Sequence, residues 1–600
     1  MEQIVQALPL SPATVSAVFP TVSCNSEKCE VSVHIGIFFD GTGNNRYEHE
    51  SIRKDSNVAR LFRAYPDEPS DNKFRIYIPG VGTRFPEIGE ESPAATGMGF
   101  GGGGEGRILF AILMMMNRVN RVVSGNLQMM SDETILALCR NVYRAHSLNA
   151  RTETARYASL PSGDEAALRS VGMEFSGGLL TAWPSGITHR TTFLRSKMAE
   201  LAEKIKQTDK PKVVEIFIDV FGFSRGAAQA RVFCTWLNEL FQGSQLCGVP
   251  AQIRFVGLFD TVASVGIPAS AISAAAGHLD WATAANLQIP ARVRNCFHLV
   301  AMHENRGSFP LDQVLVRGVL PSNCKEYCCP GMHSDVGGGY APEEQGRYLS
   351  AAGTPSHLID GEKLSQIPLN VMHDAAVAAL VPLNKRLANI VLADETVYDA
   401  FRVAQSLGVA FREFNELLPK QPLPLRDRLT EYLAWRYQVR NTYTSLNWTQ
   451  RIVASKFPQD RSDLVGANRV LNMDVRALEA NHRLTASGRR QFNNDTAVAD
   501  RNLAASVRSL APEAPELFAK VKAMPLSPPT MAKIFGELSH DSYAGFRPFD
   551  QLTAFGWDFV LGSWESEGYF RFRRRYEGDN SALTLLNPQD NQSEGRQETA

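Results

Sequence analysis

Four stretches of the chain are apolar on both faces instead of alternating: Val31 to Asp40 (VSVHIGIFFD), Val213 to Phe221 (VVEIFIDVF), Ile253 to Asp260 (IRFVGLFD) and Val293 to Met302 (VRNCFHLVAM). Short runs rich in β-branched and aromatic residues, ending in small or acidic ones, predict strands covered on both sides, as in a parallel sheet. Phe74 to Gly80 (FRIYIPG) reads as a fifth strand, and the stretch EYCCPGMH offers a sixth. Helical patterns follow several of these runs, notably RGAAQARVFCTWLNELF directly after Ser224. Strands alternating with helices predict an α/β fold with a doubly wound, mostly parallel sheet and a site at the carboxyl ends of its strands.

The rest of the pattern is helical. Between about 105 and 210 lies a helix-rich insertion that includes DETILALCRNVYRAH and RSKMAELAEKIKQ. Its most apolar part, Ile108 to Met116, is too short for a membrane span, which needs roughly 18 residues, and reads as a buried helix. After about 350, HDAAVAALVPL, LTEYLAWRYQ and TQRIVASKF are amphipathic helices. The predicted organisation is an N-terminal segment (1–30), a catalytic core (31–345), a mostly helical C-terminal domain or cap (346–579) and a polar, disordered tail (580–600). Near the end, YFRFRRRYEG (Tyr569 to Gly578) alternates aromatics with arginines. It reads as an exposed edge strand protected by charge, or else as a contact for anionic headgroups.

A chain of 600 residues exceeds what one hydrophobic core supports, so one core with large insertions or two to three domains are expected. The net charge of -1 gives no global reason to expect nucleic acid as a partner. The first twenty residues carry prolines and no basic region before their apolar stretch, which predicts no cleaved signal and a cytoplasmic start. Nine cysteines, thinly scattered, do not make a disulfide framework. Cys324, Cys328 and Cys329 followed by His333 lack the two spaced ligand pairs of structural zinc, so they read as buried small residues and no metal or cofactor is expected.

Chemistry enters at Gly222-Phe-Ser-Arg-Gly226, which follows a hydrophobic strand and opens a helix. That is the strand, elbow and helix of α/β-hydrolases, where flanking glycines permit a strained turn that exposes the serine hydroxyl. A serine needs a general base, usually histidine, oriented by a carboxylate. In this fold the order is Ser, Asp or Glu, His, and the chain supplies Ser224, Asp260 at a strand end, and His333 in CCPGMHSDVGGGY. Rivals among the 12 histidines are His540, beside Asp541, and His298 and His303; Asp335 competes with Asp260 as the orienting acid. The backbone amide of Arg225 and those of Gly41 and Thr42, in FFDGTGNN, are candidate oxyanion donors. GMGFGGGGEGR has neither a P-loop nor a dinucleotide fingerprint and reads as a hinge or close-packing segment.

Taken as an ordered set, IGIFFDGTGNN, IPGVGT, GFSRGAAQAR, LFDTVASVG and HSDVGGGY resemble an α/β-hydrolase domain family that includes type VI secretion phospholipase effectors of the first lipase class. The resemblance spans roughly 33 to 345. It implies Ser224 as nucleophile, Asp260 as acid and His333 as base of a phospholipase A that acts on membrane glycerophospholipids. It further implies an antibacterial toxin secreted from the producer's cytoplasm into a target cell's periplasm, carried by a spike (VgrG-type) protein and countered by a periplasmic immunity protein. The residues themselves leave open an esterase or thioesterase for soluble substrates, or a non-catalytic interaction protein on a hydrolase scaffold.

Overall fold

The expected strands all form, and they lie in one sheet. In the computed structural model, which describes residues 6–7, 30–93, 103–147, 163–171, 175–176, 179–180, 187–208, 210–264, 278, 280–391, 396–418, 425–454, 456–486, 513–546, 568–570, 572–578 and 583–585, seven parallel strands run in sequence as β1 (Gln6–Ala7), β2 (Glu30–Phe39), β3 (Lys73–Ile78), β4 (Lys212–Phe223), β5 (Val249–Phe259), β6 (Asn295–Ala301) and β7 (Cys324–Cys329). Their spatial order is β1-β7-β6-β5-β4-β2-β3, with Gln245–Leu246 added antiparallel beside β5. This is an α/β-hydrolase-like arrangement. The chain steps outward from β2 to β3, crosses back over β2 to β4, and then proceeds outward through β5, β6 and β7. The direction of winding therefore reverses between β2 and β4, and ligands in open parallel sheets bind in the crevice at such a point.

Alternation along β2 shows why these residues make a two-sided sheet. Val33, Ile35, Ile37 and Phe39 enter one core with Ile216, Ile218 and Val220 of β4, while Phe38 enters the opposite core with Phe221, Phe255 and Phe259. The first face is covered by α2 (Gly104–Val123) and α5 (Arg225–Asn238), and α3 (Asp132–Ser147) and α4 (Ile187–Gln207) pack into the same core. The second is covered by α1 (Asn57–Ala64) and α7 (Gln366–Ala378). Each fully buried large aliphatic or aromatic side chain contributes roughly 1.5–3 kcal/mol of transfer free energy, so sheet and helices are held chiefly by these two faces. The expected buried helix at Ile108 to Met116 lies inside α2, where Gly104 lets the ring of Trp281 approach: a Cβ there would stand 2.4 Å from it. A third core joins Val300, Met302, Cys328 and Met332 to helices Gln405–Leu417, Leu425–Val439, Asp460–Ala486 and Ala514–Ala523.

Two segments depart from expectation. Leu583–Leu585 pairs antiparallel with Tyr576, Glu577 and Gly578, so a short segment of the tail forms a strand where the surrounding polar composition predicts disorder. In the 569–578 stretch, Tyr569, Phe570, Arg573 and Tyr576 are buried instead of lining an exposed edge, because Leu311–Asp312 pairs in parallel with Arg575 and Tyr576. The glycine-rich stretch 97–102 and most of the N-terminal segment lie outside the described residues.

A buried ionic knot ties α1 to the segment leading into α7. Arg60 donates to Asp360 at 2.7 and 2.9 Å and to Asp55 at 3.2 Å, while Lys363 and Tyr398 complete the shell of Asp360. Removing one partner leaves buried charge uncompensated, so Arg60→Met is expected to cost about 3–5 kcal/mol in denaturant unfolding. A loss below about 1 kcal/mol would contradict this account of how the two segments are joined.

Candidate active site

Register brings the chemistry together. Phe39 pairs with Gly222 and Phe223 pairs with Phe259, so Asp40, Ser224 and Asp260 each come directly after their strands, side by side at the carboxyl edge. Ser224 takes φ 57° and ψ −126°, a backbone conformation that is costly for any residue with a side chain. Neighbours enforce it: its N–H donates to Phe259 O at 3.0 Å, and its carbonyl accepts from Ala227 at 3.0 Å and Val262 at 3.2 Å. The flanking glycines are steric necessities. A Cβ on Gly226 would lie 2.3 Å from Asp40 O, and one on Gly222 would lie 2.6 Å from the Ala227 Cα.

His333 opens the short helix α6 (His333–Gly337) beyond β7, and its Nδ1–H donates to Asp260 Oδ2 at 2.7 Å. The imidazole lies between Phe223, 4.7 Å away between ring centres, and Phe309, 5.0 Å away. Phe223 is itself confined, since a Cβ on Gly41 or on Gly337 would strike its ring. Burial lowers the His333 pKa below the ordinary histidine value, against the opposing pull of Asp260. Burial alone would raise Asp260; the guanidinium of Arg573 and the His333 N–H outweigh it and hold this carboxyl far below the usual range. Arg573 donates to both Asp260 oxygens, at 2.8 and 2.7 Å. Glu304 Oε2 accepts the His333 backbone N–H at 3.3 Å, and Arg306 outweighs burial to bring Glu304 down to about 2.

Of the three oxyanion candidates, Gly41 is already engaged, because its N–H donates to Asp40 Oδ1 at 2.7 Å. The Thr42 amide has no acceptor among the described residues, and Thr42 Oγ1 accepts from the Arg225 side chain at 2.6 Å, joining this loop to the elbow. The rival residues pair elsewhere. Asp335 accepts from His540 Nδ1 at 2.6 Å and from the His540 backbone at 3.0 Å, and it caps its own helix through Met332 N, so it orients His540 and not His333. His540 stacks on Tyr340 at 3.7 Å. His298 bridges Glu326 and Thr261 within the sheet, and His303 accepts from Gly331 among aromatic side chains. Among the described residues no cluster of His, Cys, Asp and Glu has the makings of a metal site, and Cys324, Cys328 and Cys329 are buried along β7.

Sequence reasoning missed Arg573, Glu304, Phe309 and the state of Asp40. The glutamate lies three residues beyond β6 in AMHENR, close to the carboxyl edge where Asp260 ends its own strand, and that was an available signal.

Comparison with known proteins bears on what such an arrangement belongs to. The chain matches the family model described as T6SS, Phospholipase effector Tle1-like, catalytic domain, over residues 34–241 and 237–375. No curated protein sequence matches it. Among solved structures, an uncharacterized protein from Pseudomonas aeruginosa aligns at 23% identity with a TM-score of 0.62, covering 93% of this chain and 81% of that one, which shows a shared fold. The Tle1 effector bound to the VgrG spike of the type 6 secretion system aligns at 18% identity over 69% of this chain and 88% of that one. Its TM-score of 0.33 is too low to carry an argument. No helix among the described residues is long and apolar enough to cross a membrane.

Asp40 yields a test of the site's electrostatics. Burial pushes its carboxyl up to about 6, although Ser56 and Tyr77 donate to it at 2.5 Å each and Gly41 adds its amide. Between 3.8 and about 6 the folded chain therefore holds a proton that the unfolded chain has released. Stability from this group is full below that window and falls as pH rises through it, by up to about 3 kcal/mol in all. Asp40→Asn cannot titrate, so the difference in unfolding free energy between wild type and variant is expected to slope across pH 4–6 in that sense. A flat difference would refute the assignment.

Proposed function

Since the chain belongs to the Tle1-like family of type VI secretion phospholipase effectors, whose catalytic-domain model spans more than half of it, we propose that it is a serine phospholipase A that cleaves membrane glycerophospholipids of a competing bacterium. Membership of that family makes it a hydrolase of lipid esters and an effector secreted into target cells. The observation that carries the finer reading is the hydrogen bond from His333 Nδ1–H to Asp260 at 2.7 Å, beside a serine held in a strained strand-to-helix turn.

In this reading Ser224 Oγ attacks an acyl ester carbonyl while His333 Nε2 takes its proton; Asp260 keeps the proton on Nδ1 and stabilises the imidazolium. The tetrahedral oxyanion meets the amide of Arg225, at the start of α5 where the helix dipole also favours negative charge, and that of Thr42 in the loop after β2. His333 then protonates the departing lysophospholipid oxygen, leaving an acyl-Ser224 ester. Water, deprotonated by the same nitrogen, attacks that ester, releasing the fatty acid and restoring the serine. A spike carrier, a periplasmic site of action and an immunity protein belong to the same proposal, and they rest on the family's assignment to type VI secretion. The helices after 350 would form the cap that shields acyl chains.

Ser224→Ala is expected to lower fatty-acid release from phosphatidylethanolamine–phosphatidylglycerol vesicles by about 10³-fold or more and to abolish fluorophosphonate labelling, with thermal unfolding unchanged. Undiminished release by that variant would exclude the mechanism. Because burial lowers the His333 pKa, the acid limb of kcat/KM should lie below 6.5.

A further inference from the structure

The Asp260 carboxylate is shared between two cationic or potentially cationic groups. Oδ2 accepts from His333 Nδ1 at 2.7 Å and from Arg573 at 2.8 Å; Oδ1 accepts from Arg573 and from the Ala301 amide, both at 2.7 Å. Four donors fill the acceptor positions of one carboxylate and leave it no rotational freedom. Orienting a histidine does not by itself require the second cation.

The fold takes trouble to deliver that guanidinium. Arg573 is buried and follows Phe572, whose φ of 54° is an unfavourable backbone angle for a bulky residue. The turn after β5 and the Arg573 segment are joined through one short strand: Asp312 N donates to Thr261 O at 3.0 Å, Ala263 N donates to Asp312 Oδ2 at 2.8 Å, and Leu311 N donates to Arg574 O at 2.8 Å.

We infer that Arg573 is a positioning residue of the hydrolytic site, fixing the Asp260 carboxylate in the plane of His333 and tempering the basicity of that histidine by drawing on the same negative charge. The inference rests on the reading of Ser224, Asp260 and His333 as a triad. A cation on the far side of the carboxylate opposes protonation of the imidazole, so His333 stays neutral, and able to act as base, to lower pH. The other charges facing His333 are Glu304 and Arg306 from the segment after β6, and the Asp335–His540 pair on and against its own helix. None of these donates to Asp260 among the described residues. Arg573 therefore acts through the acid, whereas the charges of Glu304 and Arg306 bear on His333 without passing through Asp260.

The test compares full-length wild type, Arg573→Met, Arg573→Lys and Ser224→Ala by pH profiles of vesicle hydrolysis and of fluorophosphonate labelling. For Arg573→Met the acid limb is expected to move up by about one pH unit and kcat to fall about 10- to 100-fold. Arg573→Lys keeps the charge but not the two-pronged geometry, so its limb should stay near that of wild type while kcat falls by about tenfold. An unmoved limb in a folded Arg573→Met, or activity lost only in proportion to folded protein, overturns the inference and leaves the triad standing. If Arg573→Met does not fold, Arg573→Lys decides: wild-type kcat would overturn the positioning role, and a reduced kcat with the limb in place would support it. Equal labelling of wild type and Ser224→Ala would instead overturn the triad reading, and this inference with it.

Discussion

The site depends on one close backbone contact. The carbonyl groups of Phe39 and Asp40 approach the Cα of Gly226 so closely that a methyl group there would sit 2.4 and 2.3 Å from them. With no side chain at that position, the end of the first long strand and the start of α5 meet directly across the point where the winding of the sheet reverses. Everything nearby is positioned from that contact. The Asp40 loop is set against the Ser224 turn, strand pairing then places Asp260 beside them, and Phe223 fills the space between Gly41, Gly337 and the His333 ring. A looser contact would leave no reason for Phe223, and hence His333, to occupy one place.

Two aspartates show how little of a residue's chemistry lies in its local sequence. Asp40 and Asp260 each end a β-strand after a phenylalanine, and both are completely buried. Asp40 receives two hydroxyls and an amide, all neutral donors, and burial wins, so its carboxyl titrates near 6. Asp260 receives a guanidinium and an imidazole, and charge wins over burial, so it stays ionised. The difference follows from Coulomb attraction in a low-dielectric interior, where one full positive charge outweighs several dipoles.

The same contrast marks what was legible beforehand. Strands could be read because burial on both faces leaves continuous apolar runs, and their ends were off by only a few residues; the 253–260 run begins at 249 in the structure. The meeting of Asp260 with His333 was legible from chain order, since strands that pair in register bring successive strand ends together. Asp335 was not separable from Asp260 in advance, because the direction in which a two-residue neighbour of histidine points depends on where a helix begins, and here it begins at His333. Arg573 was illegible for a different reason. Its partner lies 313 residues earlier, and alternating aromatics and arginines look the same in a solvent-facing edge strand as in a buried segment that lends one guanidinium inward.

That separation has a consequence for how the protein comes into being. The acid beside the serine has its other hydrogen-bond partners, Ala301 and His333, within the next 73 residues, yet its guanidinium partner is translated only after the intervening helices have been made. Until then Asp260 has only the Ala301 amide and His333 as partners, and pairing across so long a separation is entropically slow to form. The charge balance around Asp260 is therefore completed only by one of the last segments of the chain to leave the ribosome.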